Sequence, residues 1–179
     1  AAARTHLGPD HLVTLRAEHE LGCARCLGGD WPAAEPHLLR AVEGRARALG
    51  ELDRNTLASR GMLGYLRSEQ DRGDEAEVLL EATLAGQRQV LGEDHPDTLT
   101  TLNNLATAYG DRGQFDKALV LLEEGLALTE RVCGPEHPAT LMWRRRGGDF
   151  ATMSLPMIDP APGRLSTITC WLRFFENAG

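Results

Sequence analysis

Residues 91–109 read Leu91-Gly92-Glu93-Asp94-His95-Pro96-Asp97-Thr98-Leu99-Thr100-Thr101-Leu102-Asn103-Asn104-Leu105-Ala106-Thr107-Ala108-Tyr109, and this stretch decides the fold. Gly92 suits the left-handed conformation that ends a helix. Pro96 fits the first turn of the next one, where a missing N–H costs nothing. Asp94 and Asp97 put negative charge near that positive helix start. Leu99, Leu102, Leu105, Ala106 and Tyr109 then recur at helical spacing on one face. Gly113-Gln114 breaks the pattern. A second stripe follows at Phe115, Ala118, Leu119, Leu122, Leu126 and Val132. The unit is a helical hairpin.

The unit repeats. Leu7-Gly8, Leu49-Gly50, Leu91-Gly92 and Cys133-Gly134 stand 42 residues apart. Thr14-Leu15, Thr56-Leu57, Thr98-Leu99 and Thr140-Leu141 keep that interval, as do Ala34, Ala76 and Ala118, and Leu38, Leu80 and Leu122. A period of this length is the mark of a stacked repeat array. No single hairpin can bury its own stripe, so neighbours must cover one another and share a continuous core. The small residues Gly22, Gly64 and Ala106 occupy equivalent places and let two helix backbones approach closely. His95 and His137 hold one turn position before Pro, and repetition in a linker points to a structural role.

Copies one and two depart in detail. Pro36 is expected to delay the second helix of copy one. In copy two Arg67 stands where copy three has Tyr109, and the break reads Asp71-Arg72-Gly73, two residues later than in copy three. A fourth copy opens at Cys133-Gly134-Pro135-Glu136-His137-Pro138-Ala139-Thr140-Leu141 and then loses the motif at Met142-Trp143-Arg144-Arg145-Arg146-Gly147-Gly148. The expected organisation is therefore 1–141, three repeats plus the start of a fourth, and 142–179, a divergent tail. Three Pro within 154–163 make part of that tail irregular, and 166–177 has the composition of a short terminal helix.

Leu102-x-x-Leu105-Ala106-x-x-Tyr109 followed by Ala118 and Leu122 resembles the tetratricopeptide repeat. The phrases at 91–98 and 102–106 look like its 42-residue version, found in kinesin light chains and related scaffold proteins. The resemblance covers about residues 7–141. It implies an all-α, right-handed superhelical solenoid of stacked helix–turn–helix units. It also implies a concave wall, lined by each first helix, that holds a peptide or partner helix. Asn103 and Asn104 fall on that wall in copy three, with Thr100 and Thr107 one turn to either side. Equivalent places hold Arg16 and His19 in copy one, and Met62 and Tyr65 in copy two. In related repeats an Asn here hydrogen-bonds a bound peptide backbone, a task suited to a group with both donors and acceptors.

Composition narrows the function. Hydrophobic residues at 42% allow a core, and only 5% aromatics favours helices packed through Ala and Leu. The formal charge is −7; residues 142–179 carry five Arg against three acids, which leaves −9 on the first 141. Such a surface repels nucleic acid. No apolar run reaches the roughly 18 residues of a membrane span. The start, Ala1-Ala2-Ala3-Arg4, has neither Met nor a signal-peptide pattern, and reads as a fragment or processed product in a reducing, cytoplasmic setting. No phosphate loop, nucleophile elbow or metalloprotease helix is present, so the expectation is a non-catalytic protein-binding scaffold that needs no cofactor. The carboxylates read as solvated surface. Two other readings stand beside the scaffold. One is an adaptor piece of a larger regulatory chain: a kinase, a nucleotide-switch ATPase or a motor light chain. The other is a metal or redox protein using His19, Cys23 and Cys26, three soft ligands on one helix face with His37 as the candidate fourth. Oligomeric state and the partner's identity are not written in the sequence.

Overall fold

The phrase that recurs every 42 residues builds a turn, a cap and a latch. Gly50, Gly92 and Gly134 have φ of +98°, +95° and +90° with ψ near +165°, a region essentially closed to residues with a Cβ. This is an extended backbone with positive φ, unlike the left-handed turn expected for Gly92. Nδ1 of His11, His95 and His137 then accepts the backbone N–H two residues on, at 3.2, 3.1 and 3.3 Å. Histidine thus serves as helix N-cap, which is the structural role its repetition suggested. Thr14, Thr98 and Thr140 donate from Oγ1 to the carbonyls of Gly8, Gly92 and Gly134, each at 2.8 Å, tying the loop to the helix it precedes. Copy two caps instead with Asp53, which accepts from the Asn55 and Thr56 amides.

The structure is a computed structural model and describes residues 7–153. Among the described residues there are seven helices and no strand. They are α1 (Leu12–Leu27), α2 (Trp31–Leu49), α3 (Arg54–Glu69), α4 (Gly73–Leu91), α5 (Pro96–Asp111), α6 (Phe115–Cys133) and α7 (Pro138–Met153). Each helix packs mainly on the next in sequence. First helices also meet directly, α1 with α3 and α3 with α5, more closely than second helices do. The first helices are therefore the inner layer of the stack. Within each hairpin a leucine of the second helix fills a notch in the first. Leu38 lies on Gly22 and Leu80 on Gly64; Leu122 and Ala106 hold the same places in copy three, and all three leucines are fully buried.

Three further details differ from the sequence reading. Pro36 does not delay its helix: α2 begins at Trp31, capped by Asp30, and carries Pro36 inside it. The break in copy two is in register, because Asp71 takes φ +58° where Gly29 and Gly113 take +73°; a short polar side chain tolerates that conformation. Gly73 instead opens α4. The helix of the fourth copy runs on past Leu141, where the motif is lost, to Met153. Its register is held by Trp143, fully buried and seated on Gly125, where an added Cβ would come within 2.4 Å of the indole. The motif is lost on the other side of α7, where Arg144, Arg145 and Gly148 stand exposed at the places of Leu102, Asn103 and Ala106. The proposed helix at 166–177 lies outside the described residues.

The Gly92 turn is open to a side chain in space but not in backbone conformation, since the nearest atom to an added Cβ is 3.7 Å away. Gly92→Ala should therefore cost about 1–3 kcal/mol through strain alone, read as a lowered urea midpoint with an unchanged slope. An unchanged midpoint would mean the turn relaxes freely.

Candidate functional site

The residues expected on the inner wall all lie on first helices, but the wall is not uniformly open. Asn103 and Asn104 are 4% and 7% exposed. Over Asn103 the cover comes from α7. Arg146 donates to Asn103 Oδ1 and, at 2.7 Å, to Thr107 Oγ1. Thr107 in turn donates to the Asn103 carbonyl at 2.9 Å, and Thr100 to the Pro96 carbonyl at 2.9 Å. Copy three thus offers two amides, two hydroxyls and a guanidinium within a few turns of α5 and α7. Arg146 is the member that sequence reasoning did not place here. Its register supplies the clue, because it stands 42 residues after Asn104.

The equivalent places in copy two serve packing, and those in copy one are divided between packing and surface. Tyr65 is buried, its ring edge-on to Trp31 with centroids 6.1 Å apart and planes at 79°. Met62 packs on the cluster that contains Leu38, Leu63 and Leu66. Arg16 is exposed and lies 3.9 Å from Glu20. Copy two's Arg67 pairs with Glu35 on α2, and copy three's Tyr109 donates to Glu81 on α4. Different side chains at one register position thus make the same tie, to a carboxylate on the preceding helix or its equivalent.

His19 is drawn into the junction of copies one and two. Its Nδ1 faces Ser59 Oγ of α3 at 3.3 Å and its Nε2 faces Cys23 Sγ at 3.6 Å. Arg45 of α2, 6% exposed, donates to Ser59 Oγ at 2.8 Å and to the Asn55 carbonyl at 2.9 Å. Burial, helped by the Arg45 charge, lowers the His19 pKa from 6.5 to about 4. Burial likewise pushes the Cys23 thiol up to about 12 and Cys26 to about 11, so neither is a ready thiolate. His37 turns away to Glu18 at 2.6 Å. Among the described residues no three His, Cys, Asp or Glu side chains are grouped as a metal ion requires, and the metal and redox reading has no support. Glu18 also corrects the view of the carboxylates as solvated: it is 8% exposed, held by His37 and by Arg40 at 2.9 Å. Among the described residues no helix is long and apolar enough to cross a membrane.

A histidine pKa lowered by folding means the unfolded chain binds the proton more readily. Stability should therefore fall as pH drops from about 6.5 toward 4 and level off below. The charge acting on the ring is Arg45. The His19 share, on the order of 3 kcal/mol, is isolated by comparing urea unfolding of wild type and His19→Gln at pH 7 and pH 4. Equal losses in the two proteins would remove His19 from the account.

The comparisons agree with this geometry. The tetratricopeptide repeat family profile matches residues 53–131. A crystal structure from Podosopora anserina, described as having kinesin light chain nearly identical TPR-like repeats, superposes with a TM-score of 0.73 at 29% identity, over 82% of this chain and 68% of that one. A single-substitution variant of it gives 0.72 at 29%. BtubC (BKLC) from P. vanneervenii gives 0.69 at 20% identity, over 87% of this chain and 61% of that one, a likeness of fold. Among curated proteins none matches the chain in sequence. From its period, its stacking order and these neighbours, the chain has the fold of an all-helical tetratricopeptide-type solenoid, with the repeat family itself matched over residues 53–131 and the 42-residue repeats similar to those of the kinesin light chain structures.

Proposed function

We propose that this chain is a non-catalytic scaffold that holds a peptide or a partner helix along the inner layer of first helices. Tetratricopeptide repeats are in general protein-interaction modules, and an extended ligand suits a wall built from successive parallel helices. The observation that carries the reading is the polar patch of copy three. Asn103, Asn104 and Thr107 on α5 carry the donors and acceptors that a peptide backbone needs; with the two amides 4% and 7% exposed, a peptide reaches them only when Arg146 of α7, which holds Asn103 and Thr107, swings aside. Thr100 lies one turn earlier. Arg16 and His19 on α1, and Met62 and Tyr65 on α3, extend the same layer, with Arg16 the exposed member. The partner is a protein or peptide. The formal charge of −7 disfavours nucleic acid.

Affinity capture with wild type beside Asn103→Ala/Asn104→Ala tests the proposal, with matched circular dichroism and melting to confirm folding. Loss of two hydrogen-bonding amides should weaken a bound peptide by roughly tenfold or more, at about 1 kcal/mol per bond. Recovery of the same partners at equal strength by the folded double variant would place the binding surface elsewhere.

A further inference from the structure

Glycine inside these helices has a steric reason at several places. At Gly22, Gly44, Gly64, Gly86 and Gly125 an added Cβ would come within 2.2–2.9 Å of a neighbouring side chain. Gly147 and Gly148 have no such reason. They stand side by side in the interior of α7, and among the described residues nothing lies within 4 Å of an added Cβ at either. Each glycine disfavours the helix several-fold relative to alanine. Leucine packing does not compensate at this place. Where α7 has Gly147, α3 and α5 carry Leu63 and Leu105, buried in clusters with the second helix of the preceding copy. The anchor of α7 comes earlier, at Trp143, buried on Gly125. Arg146 stands between that anchor and the glycine pair. Its guanidinium holds Asn103 Oδ1 and, at 2.7 Å, Thr107 Oγ1.

We infer that α7 is a fixed post through Trp143 and a gate from Arg146 onward, which unwinds at Gly147-Gly148 and lifts the Arg146 guanidinium from Asn103 and Thr107. In an α-helix the amides of residues 147 and 148 bond the carbonyls of 143 and 144. Unwinding at the pair therefore leaves Arg146 at a frayed helix end, free to take other rotamers. Weakly helical segments with little apolar burial open locally, at far lower cost than global unfolding. The post stays in place, because the buried indole of Trp143 precedes the break. Opening uncovers Asn103 and closing returns the guanidinium to it, so a ligand and Arg146 compete for the same oxygens. This role at the inner wall rests on the scaffold reading; the motion itself needs no ligand.

Thiol labelling of the full chain, with no ligand present, reads the gate directly. Asn103→Cys is placed in a Cys133→Ser/Cys170→Ser background and treated with an aromatic disulfide reagent under native conditions. Cys23 and Cys26 react slowly, since burial raises their thiol pKa values to about 12 and 11, and the background protein without Asn103→Cys gives their rate. Adding Gly147→Ala/Gly148→Ala should slow labelling of Cys at 103 roughly tenfold or more, through helix propensity alone. Adding Arg146→Ala should speed it about fivefold, for the loss of the bond to Thr107. Circular dichroism checks that each variant keeps its helices. An unchanged rate in the double-alanine protein would overturn the unwinding, and an unchanged rate with Arg146→Ala would overturn the part given to the guanidinium. Partner capture by Asn103→Ala/Asn104→Ala judges the scaffold reading separately, so either can fail while the other stands.

Discussion

The structure depends on how close the two helices of a hairpin can come. Leu38, Leu80 and Leu122 are fully buried, and each meets a residue with little or no side chain: Gly22, Gly64 and Ala106. In copies one and two the leucine lies where a Cβ would be, at 2.7 and 2.6 Å. That contact fixes the separation within a hairpin. The separation in turn sets which residues face the next copy. Interiors at native packing density leave no slack for a larger group there, so one small residue in each first helix governs the geometry of all the others.

Between copies the chemistry is free to vary, and it does. The first junction is polar: His19, Ser59 and Arg45 interlock across α1, α2 and α3. The second is tight and small, with Thr101 Oγ1 lying 3.1 Å from where a Gly61 side chain would begin. The third is aromatic, Trp143 on Gly125. Each fills the same gap with different volumes in complement, which is why the repeat tolerates such divergence. α7 uses this freedom too: it retains the face toward copy three through Trp143 and carries exposed Arg144 and Arg145 elsewhere.

Much of this was legible in the sequence because the signals were local. The period, the hairpins, the glycine turns and the structural histidines all follow from a few residues and their spacing. Asp71 escaped notice because any residue that accepts positive φ can hold a turn, so a search for glycine alone shifts the break to Gly73. Pro36 misled because it falls within an otherwise well-capped helix that tolerates it. The site was less legible. Asn103 was readable as a polar residue of a first helix, but its enclosure depends on Arg146, 43 residues away, and on α7 continuing through a segment that has lost its motif. Glu18 and His19 look like surface residues on α1. Their burial is decided by Arg40, His37, Arg45 and Ser59, which belong to other helices.

The central claim is that hairpin closure through the small-residue notch sets the whole stack. It is tested most directly by urea unfolding of Gly64→Leu beside Gly147→Leu. Both remove a helical glycine, a change worth up to about 1 kcal/mol in favour of the helix. Nothing lies within 4 Å of an added Cβ at Gly147, whereas Leu80 fills that space at Gly64. The account predicts a net loss of roughly 1–3 kcal/mol for Gly64→Leu through overpacking and no loss for Gly147→Leu. Equal stability of the two variants would contradict it.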